Sequence, residues 1–176
     1  GKVINFNKLQ SKYFGEGITI YDNKIFQVTW KSNKGFVYDI NNFKLLDDFN
    51  IYGQGWGLTN DGQSLILSDG SEKIYYLNPK NFEIEKTISV SVNGNKLIYI
   101  NELEFIRGEI WANIWKSNDI ITVNPLSGIV TSIFDISKIS EQTEIEDVAN
   151  GIAWDKVNDK IFITGKNWNF IYLLDI

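Results

Sequence analysis

One glutamate, one asparagine and one lysine occupy equivalent points of a pattern that repeats along the chain. Glu16 and Asn101 lie nine residues before Ile25 and Ile110, which begin matching apolar runs, and Lys166 lies five residues after the matching Ile161. A carboxylate can accept and return a proton, and an amide or ammonium group can stabilise a developing oxyanion. Together these residue types indicate acid–base chemistry at one place in the fold.

Aromatic residues share the same points of the repeat. They are Trp30 and Trp115, five residues after Ile25 and Ile110, Trp56, nine residues before Leu65, and Phe14, two residues before Glu16. Taken singly, a tryptophan usually belongs to the core of a β protein and a lone charge is usually solvated. Aromatic walls around a few polar groups are instead typical of a ligand pocket. Because these residues fall at related points of the repeat, we interpret them as one site.

The composition narrows the chemistry that such a site could use. The 176 residues include no His and no Cys, which excludes serine–histidine catalysis, thiol nucleophiles and metal sites built on thiolates. Catalytic zinc nearly always takes an imidazole ligand, so we predict no metal and no cofactor. The net charge of −5 predicts no nucleic-acid partner, and no apolar run has the length of a membrane span.

The site residues are carried by short strands that recur in four units. Matching strands begin at Ile25, Leu65, Ile110 and Ile161, at spacings of 40, 45 and 51 residues. Each unit has an inner strand before this point and a third strand after it, and three of the four continue into an outer strand. Four antiparallel strands per unit at this period predict an all-β fold. We interpret residues 1–176 as a single β-propeller domain rather than a generic β-sandwich.

The two ends of the chain and one internal segment carry separate expectations. Residues 1–7 resemble an outer strand, and the fourth unit stops at its third strand. Either the first segment closes the last blade into a four-bladed ring, or the propeller is incomplete at its N-terminus. Residues 137–148 have the best helical pattern of the chain, and we interpret them as a polar loop or one short turn.

Eight short motifs give the sequence a resemblance to a known family. They are YFGEGIT (13–19), QVTWKS (27–32), GWGLT (55–59), SDGS (68–71), NELEF (101–105), ANIWKSN (112–118), NGIAWD (150–155) and TGKNW (164–168). Together they resemble the propeller-type glutaminyl cyclases, or glutamine cyclotransferases, of plants and bacteria. The resemblance implies a five-bladed propeller of which this sequence matches about four blades. The family's N-terminal blade, with its F-T-Q-G segment, has no counterpart here.

The resemblance also implies an activity. Members of this family convert the N-terminal glutamine of a peptide or protein into pyroglutamate and release ammonia, without a catalytic metal. The partners would therefore be peptides or proteins with N-terminal glutamine. A periplasmic or secreted location would be expected on the same ground.

The matching positions imply roles for individual residues. Glu16 would be the general acid/base, and Asn101 and Lys166 would hold the substrate and stabilise charge. The aromatic walls would be Phe14, Trp30, Trp56 and Trp115.

Two other functions stay open at this point. A non-catalytic propeller that binds a peptide or glycan on the same aromatic surface would need the tryptophans but not Glu16. A lactonase-like hydrolase would need a central calcium held by several inward carboxylates, whereas the starts of the inner strands supply only Glu16. Release of ammonia from a peptide that begins with glutamine separates the cyclase from both.

Overall fold

The architecture is all-β, as the repeat predicts. The computed structural model describes residues 2–3, 5–140 and 148–175. Within these residues, seventeen strands form, and no helix is long and apolar enough to cross a membrane.

The strands assemble into four antiparallel blades in a propeller-like ring, each blade built from consecutive strands. Blade one contains β1 (Gly15–Tyr21), β2 (Lys24–Thr29), β3 (Lys34–Asp39) and β4 (Leu45–Asn50). Blade two contains β5 (Leu58–Asn60), β6 (Leu65–Ser68), β7 (Lys73–Leu77) and β8 (Ile84–Ser89). A small hairpin, β9 (Ser91–Val92) and β10 (Asn95–Lys96), leads to the next blade.

Blade three contains β11 (Ile100–Ile106), β12 (Glu109–Ile114), β13 (Asp119–Val123) and β14 (Val130–Asp135). Blade four contains β15 (Ala149–Asp155), β16 (Lys160–Gly165) and β17 (Tyr172–Leu174). The apolar residues that mark the repeat all fall in the second strand of their blade, as expected.

Three apolar cores join the blades in pairs. Phe26 and Val28 of blade one pack with Leu65 and Leu67 of blade two, and similar clusters lie between blades two and three and between blades three and four. Burying such side chains contributes roughly 1.5–3 kcal/mol each. This packing holds the four inner strands β1, β5, β11 and β15 around a common axis.

Blades one and four carry exposed apolar side chains. Ile18 and Ile20 of β1 are 57% and 59% exposed, and Leu173 of β17 is 53% exposed. Among the described residues, no buried cluster of the kind found at the other three interfaces joins these two blades.

The prediction of an outer strand in residues 1–7 is wrong for the residues that the structure describes. Residues 2–3 and 5–7 form no strand, and Gly1 and Ile4 lie outside the description. The segment instead contacts blade one through Asn7, whose Nδ2 donates to the carbonyl of Phe43 at 2.9 Å. A strand needs a neighbouring edge that supplies a ladder of hydrogen bonds, and this segment meets blade one through a side chain instead.

The predicted loop or turn at 137–148 is described only in part. Residues 137–139 form a turn, in which the N–H of Ile139 donates to the carbonyl of Ile136 at 3.0 Å. Residues 141–147 lie outside the described part of the chain.

Candidate active site

The residues predicted to form the site line one cavity of about 600 Å³. Its lining contains Phe14, Glu16, Trp30, Trp56, Asn101, Trp115, Lys116, Val148, Lys166 and Asn167. All seven candidates from the sequence are in this set. They come from all four blades, so the ring is what brings them together.

A β-bulge carries each of the two polar cavity residues that lie on inner strands. The pairing of inner and second strands shifts between Gly15 and Ile18 in blade one and between Ile100 and Leu103 in blade three. Glu16 and Asn101 lie within these bulges. Bulges re-aim side chains and recur next to active sites. Blade four has the same irregularity between 149 and 152, around Asn150, which is not among the lining residues.

Two glycines let the inner strands approach each other backbone to backbone. A Cβ on Gly17 would lie 2.5 Å from the amide nitrogen of Leu58, and one on Gly57 would lie 2.2 Å from the carbonyl oxygen of Asn101. The N–H of Gly17 also donates to the carbonyl of Trp56 at 2.8 Å. The glycines therefore place Glu16, Trp56 and Asn101 side by side.

A buried hydroxyl joins two of these strands. Ser68 Oγ donates to the carbonyl of Asn101 at 2.6 Å and accepts from the N–H of Gly57 at 2.8 Å. The side chain is fully buried. The corresponding residue of blade three, Asn113, accepts through Oδ1 from the N–H of Gly151 at 3.1 Å. These two side chains tie the peptide groups of one blade to those of the next.

The first prediction concerns this link. Ser68→Ala leaves the Gly57 N–H and an Asn101 carbonyl lone pair without their partner in a buried place, which costs about 1–3 kcal/mol of unfolding free energy. Denaturant unfolding measures this loss. Ser132→Ala, at an exposed position of β14, is the control and is expected to change stability by less than about 0.5 kcal/mol. Equal effects at the two positions would contradict the structural role of Ser68.

Aromatic side chains form two walls. Phe14 and Trp30 meet edge to face with 5.9 Å between ring centroids, and Trp56 and Trp115 do so at 5.5 Å. Gly70 leaves room for Trp56, because a Cβ there would lie 2.6 Å from the indole ring. Such pairs hold rings in fixed orientations and add about 0.5–1.5 kcal/mol beyond burial. The walls are therefore rigid surfaces for the apolar part of a ligand.

The cavity is more enclosed on one side than on the other. Asn101 of blade three is only 6% exposed, whereas Phe14 of blade one is 58% exposed and Lys166 of blade four is exposed as well. The more exposed of these lining residues therefore belong to blades one and four.

Opposing effects act on Glu16, which alone among the described lining residues carries a carboxyl group. Burial raises the pKa of Glu16 above its usual value, and the nearby ammonium of Lys166 lowers it. Burial has the larger effect on the pKa of Glu16, because Lys166 is exposed and water weakens the attraction between its ammonium group and the carboxylate. A carboxyl with a raised pKa is better suited to return a proton after accepting one.

Sequence reasoning missed three lining residues, Lys116, Val148 and Asn167. The repeat contains the signal for all of them. Val148 accepts from the N–H of Lys166 at 2.9 Å, as Phe14 accepts from the N–H of Trp30 at 3.0 Å, so these two residues are equivalent. Lys116 and Asn167 directly follow predicted site residues, and the Lys116 ammonium lies 4.3 Å from the centroid of the Trp115 ring.

Within residues 2–3, 5–140 and 148–175, no group of three or more acidic side chains is arranged to hold a metal ion.

The sequence is similar to a known protein family and to individual proteins. A family model described as glutamine cyclotransferase matches residues 1–176. The chain is 37% identical over 182 residues to a glutaminyl-peptide cyclotransferase of Arabidopsis thaliana, and the match covers 100% of the chain and 57% of that protein. The chain thus spans little more than half the length of this relative.

Solved structures with the same fold include an enzyme and a designed protein. The crystal structure of Myxococcus xanthus glutaminyl cyclase superposes with a TM-score of 0.85 at 30% identity, over 93% of this chain and 75% of that one. The computationally designed Ika4 protein superposes with a TM-score of 0.56 at 12% identity, over 100% of this chain and 99% of that one. The second likeness concerns the fold alone.

Proposed function

The chain belongs to the glutamine cyclotransferase family, and from this premise we propose that it converts the N-terminal glutamine of peptides or proteins into pyroglutamate with release of ammonia. Activity and substrates are proposed and do not follow from family membership alone, because the chain spans only 57% of the length of the Arabidopsis relative. The observation that supports the proposal is that Glu16 lines the same cavity as an amide, an ammonium group and several aromatic side chains.

The reaction needs a substrate in a folded-back conformation and two proton transfers. The α-amine attacks the side-chain amide carbon of the same residue, so a C–N bond forms, the bond to the amide nitrogen breaks, and ammonia leaves. Both reacting groups belong to one residue, and selecting the reactive conformer therefore removes much of the barrier. The aromatic walls would hold that conformer through the methylene groups of the glutamine.

Glu16 is suited to both proton transfers. As the carboxylate it accepts the proton that the attacking amine loses, and as the acid it gives a proton to the leaving nitrogen. One positioned group that does both contributes roughly 10²–10⁴-fold to the rate. The raised pKa of Glu16 favours the second transfer, and Lys166 keeps the carboxylate available for the first.

Asn101 and Lys166 supply donors for the oxygen of the amide as it becomes negative. The backbone of Asn101 is fixed on the bulge of β11 by the hydrogen bond from Ser68, and the residue is buried. Lys166 brings a positive charge from the neighbouring blade four. Preorganised donors of this kind contribute more than flexible ones, because they need not reorient during the reaction.

We extend the proposal to location. A periplasmic or secreted protein is what family membership favours, and fractionation of the source cells would test it.

The second prediction concerns Lys166. Replacing it by methionine removes the positive charge that lowers the pKa of Glu16, so the pKa of Glu16 rises further. Glu16 is then protonated over a wider range, and the acid limb of kcat/KM moves to higher pH. Lys116→Met, at the other lysine that lines the cavity, is the control. An acid limb that stays in place in Lys166→Met, or moves as far in Lys116→Met, would contradict the assignment.

Ammonia release from a dipeptide that begins with glutamine tests the proposed function, with chelator present. Ammonia formed by the chain at a rate above the spontaneous reaction supports the cyclase. Tight binding of the peptide without ammonia would favour a binding module on the same surface. Stabilisation by calcium would instead favour a lactonase-like protein.

A further inference from the structure

Glu102 stands where the other three blades have glycine. It follows Asn101 in the bulge of β11, and the residues that follow the equivalent positions in blades one, two and four are Gly17, Gly57 and Gly151. Gly17 and Gly57 are needed for close contact between inner strands. Blade three alone places a side chain at this point, and that side chain is a carboxyl.

The Glu102 side chain lines one cavity and is coupled to a residue that lines the other. It lines an axial cavity of about 530 Å³ that residues of all four inner strands surround. It also interacts electrostatically with Glu16, which lines the candidate active site. The backbone of Glu102 is held tightly, because a Cβ on Gly57 would lie 2.9 Å from its Cα.

The surroundings of Glu102 favour its uncharged form. Burial raises its pKa to about 8, and the negative charges of Glu104 and Glu16 act in the same direction, whereas the N–H of Leu103 opposes them. Glu104 lies on the same strand and Glu16 on β1. The residues of β5 and β15 that line the axial cavity, among them Thr59 and Ile152, include no titratable group.

A carboxyl of this kind weakens the fold as the pH rises. Its pKa in the folded chain lies above the usual 4.5, so between that value and about 8 the folded state binds more protons than the unfolded state. The free energy of unfolding therefore falls with rising pH across this range. A glutamine would fill the same space without this effect. Costly titratable groups close to a pocket are candidates for a functional role.

We propose that Glu102 is a positioning residue of the active site, which acts through Glu16 by setting the charge behind it. The inference rests on the proposed function. While Glu102 is uncharged, the carboxylate of Glu16 meets the substrate amine without a second negative charge behind it. When Glu102 ionises, the added charge holds the substrate amine as an ammonium, which cannot attack. Cyclisation then slows at alkaline pH.

The test compares the pH dependence of two glutamine variants. Glu102→Gln cannot ionise, and Glu104→Gln is the matched control on the same strand, where Glu104 accepts from Thr59 Oγ1 and the N–H of Trp154. The readout is the ratio of kcat/KM at about pH 9 to that at about pH 7, measured where circular dichroism shows each protein folded at both pH values, so that the enzyme concentration cancels. The wild-type ratio is expected to be about tenfold lower than that of Glu102→Gln, because the uncharged fraction falls tenfold per unit above the pKa. Glu104→Gln removes a negative neighbour of Glu102 and lowers its pKa, so its ratio should fall below that of the wild type, in the direction opposite to Glu102→Gln.

A second measurement does not depend on turnover. In protein labelled with 13C at the glutamate carboxyls, the Glu102 signal should titrate near pH 8. Glu16→Gln removes a negative neighbour and should lower the pKa of Glu102. Glu102→Gln should leave the pKa of Glu16 in place, because Glu102 is still uncharged when Glu16 titrates.

The two measurements separate the inference from the proposed function. A chain without cyclase activity contradicts the proposed function, and the labelled carboxyls still report whether Glu102 is uncharged and coupled to Glu16. A Glu102 carboxyl that is ionised at neutral pH, or that ignores Glu16→Gln, overturns the inference. So does a pH ratio in Glu102→Gln equal to that of the wild type.

Discussion

Glu16→Gln is expected to lower kcat for glutamine cyclisation by roughly 10²–10⁴-fold, the usual contribution of a positioned acid–base group. The amide has nearly the shape of the carboxyl but can neither accept the amine proton nor return one to the leaving nitrogen. The aromatic walls, Asn101 and Lys166 remain in place. The peptide should therefore still bind, and the loss should appear in kcat rather than in affinity.

Steady-state kinetics and tryptophan fluorescence measure the two halves of this expectation. Three of the six tryptophans line the cavity, so peptide binding should change the emission of the chain. Glu85→Gln, on the exposed face of β8, is the control and should behave as the wild type. An unchanged kcat in Glu16→Gln would remove Glu16 from its proposed role.

The second large effect is expected at Gly57. In Gly57→Ala the new methyl group would lie 2.2 Å from the Asn101 carbonyl oxygen and 2.8 Å from the amide nitrogen of Leu103. Both neighbours are backbone atoms, so β5 and β11 must move apart. Overpacking of this kind costs about 1–3 kcal/mol and can cost more where backbone has to move. The same movement displaces Asn101 and Trp56, so kcat/KM should fall together with stability.

A second glycine separates the contact from the loss of a glycine as such. Gly62 has a φ of +86° and open space around its missing Cβ, so Gly62→Ala costs about 1–2 kcal/mol through backbone conformation and leaves the site intact. Denaturant unfolding and kinetics on both variants give the comparison. If Gly57→Ala keeps wild-type kcat/KM, close contact of β5 with β11 does not position the site.

The repeat made both the blades and most of the site predictable. In a propeller, residues at the same point of each unit meet around one axis, so a register built on Ile25, Leu65, Ile110 and Ile161 is also a map of spatial neighbours. For this reason the seven candidates proved to share one cavity. Their chemical roles stay predictions.

Other features depend on geometry that a register does not contain. The bulges that contain Glu16 and Asn101 are irregularities in the pairing of two strands, and the sequence of one strand alone does not predict them. The link through Ser68 joins residues 33 positions apart and depends on a buried hydroxyl that looks like an ordinary strand residue in the sequence. The expected outer strand at 1–7 is not formed by the described residues 2–3 and 5–7, because strand propensity alone does not provide a partner edge.

Glu102 is an intermediate case. Its exceptional position, a carboxyl where three units have glycine, can be read from the sequence once the units are aligned. Its consequence depends on burial and on the neighbouring charges of Glu104 and Glu16, which only the folded chain supplies.

The most direct test of the account is the mass of the product that the chain forms from a peptide beginning with glutamine, with Glu16→Gln in parallel. We expect a peptide that has lost one ammonia and gained no water, formed by the wild type and at a strongly reduced rate by Glu16→Gln. A glutamate product would show hydrolysis instead of cyclisation. That result, or equal rates in the two proteins, would contradict the account.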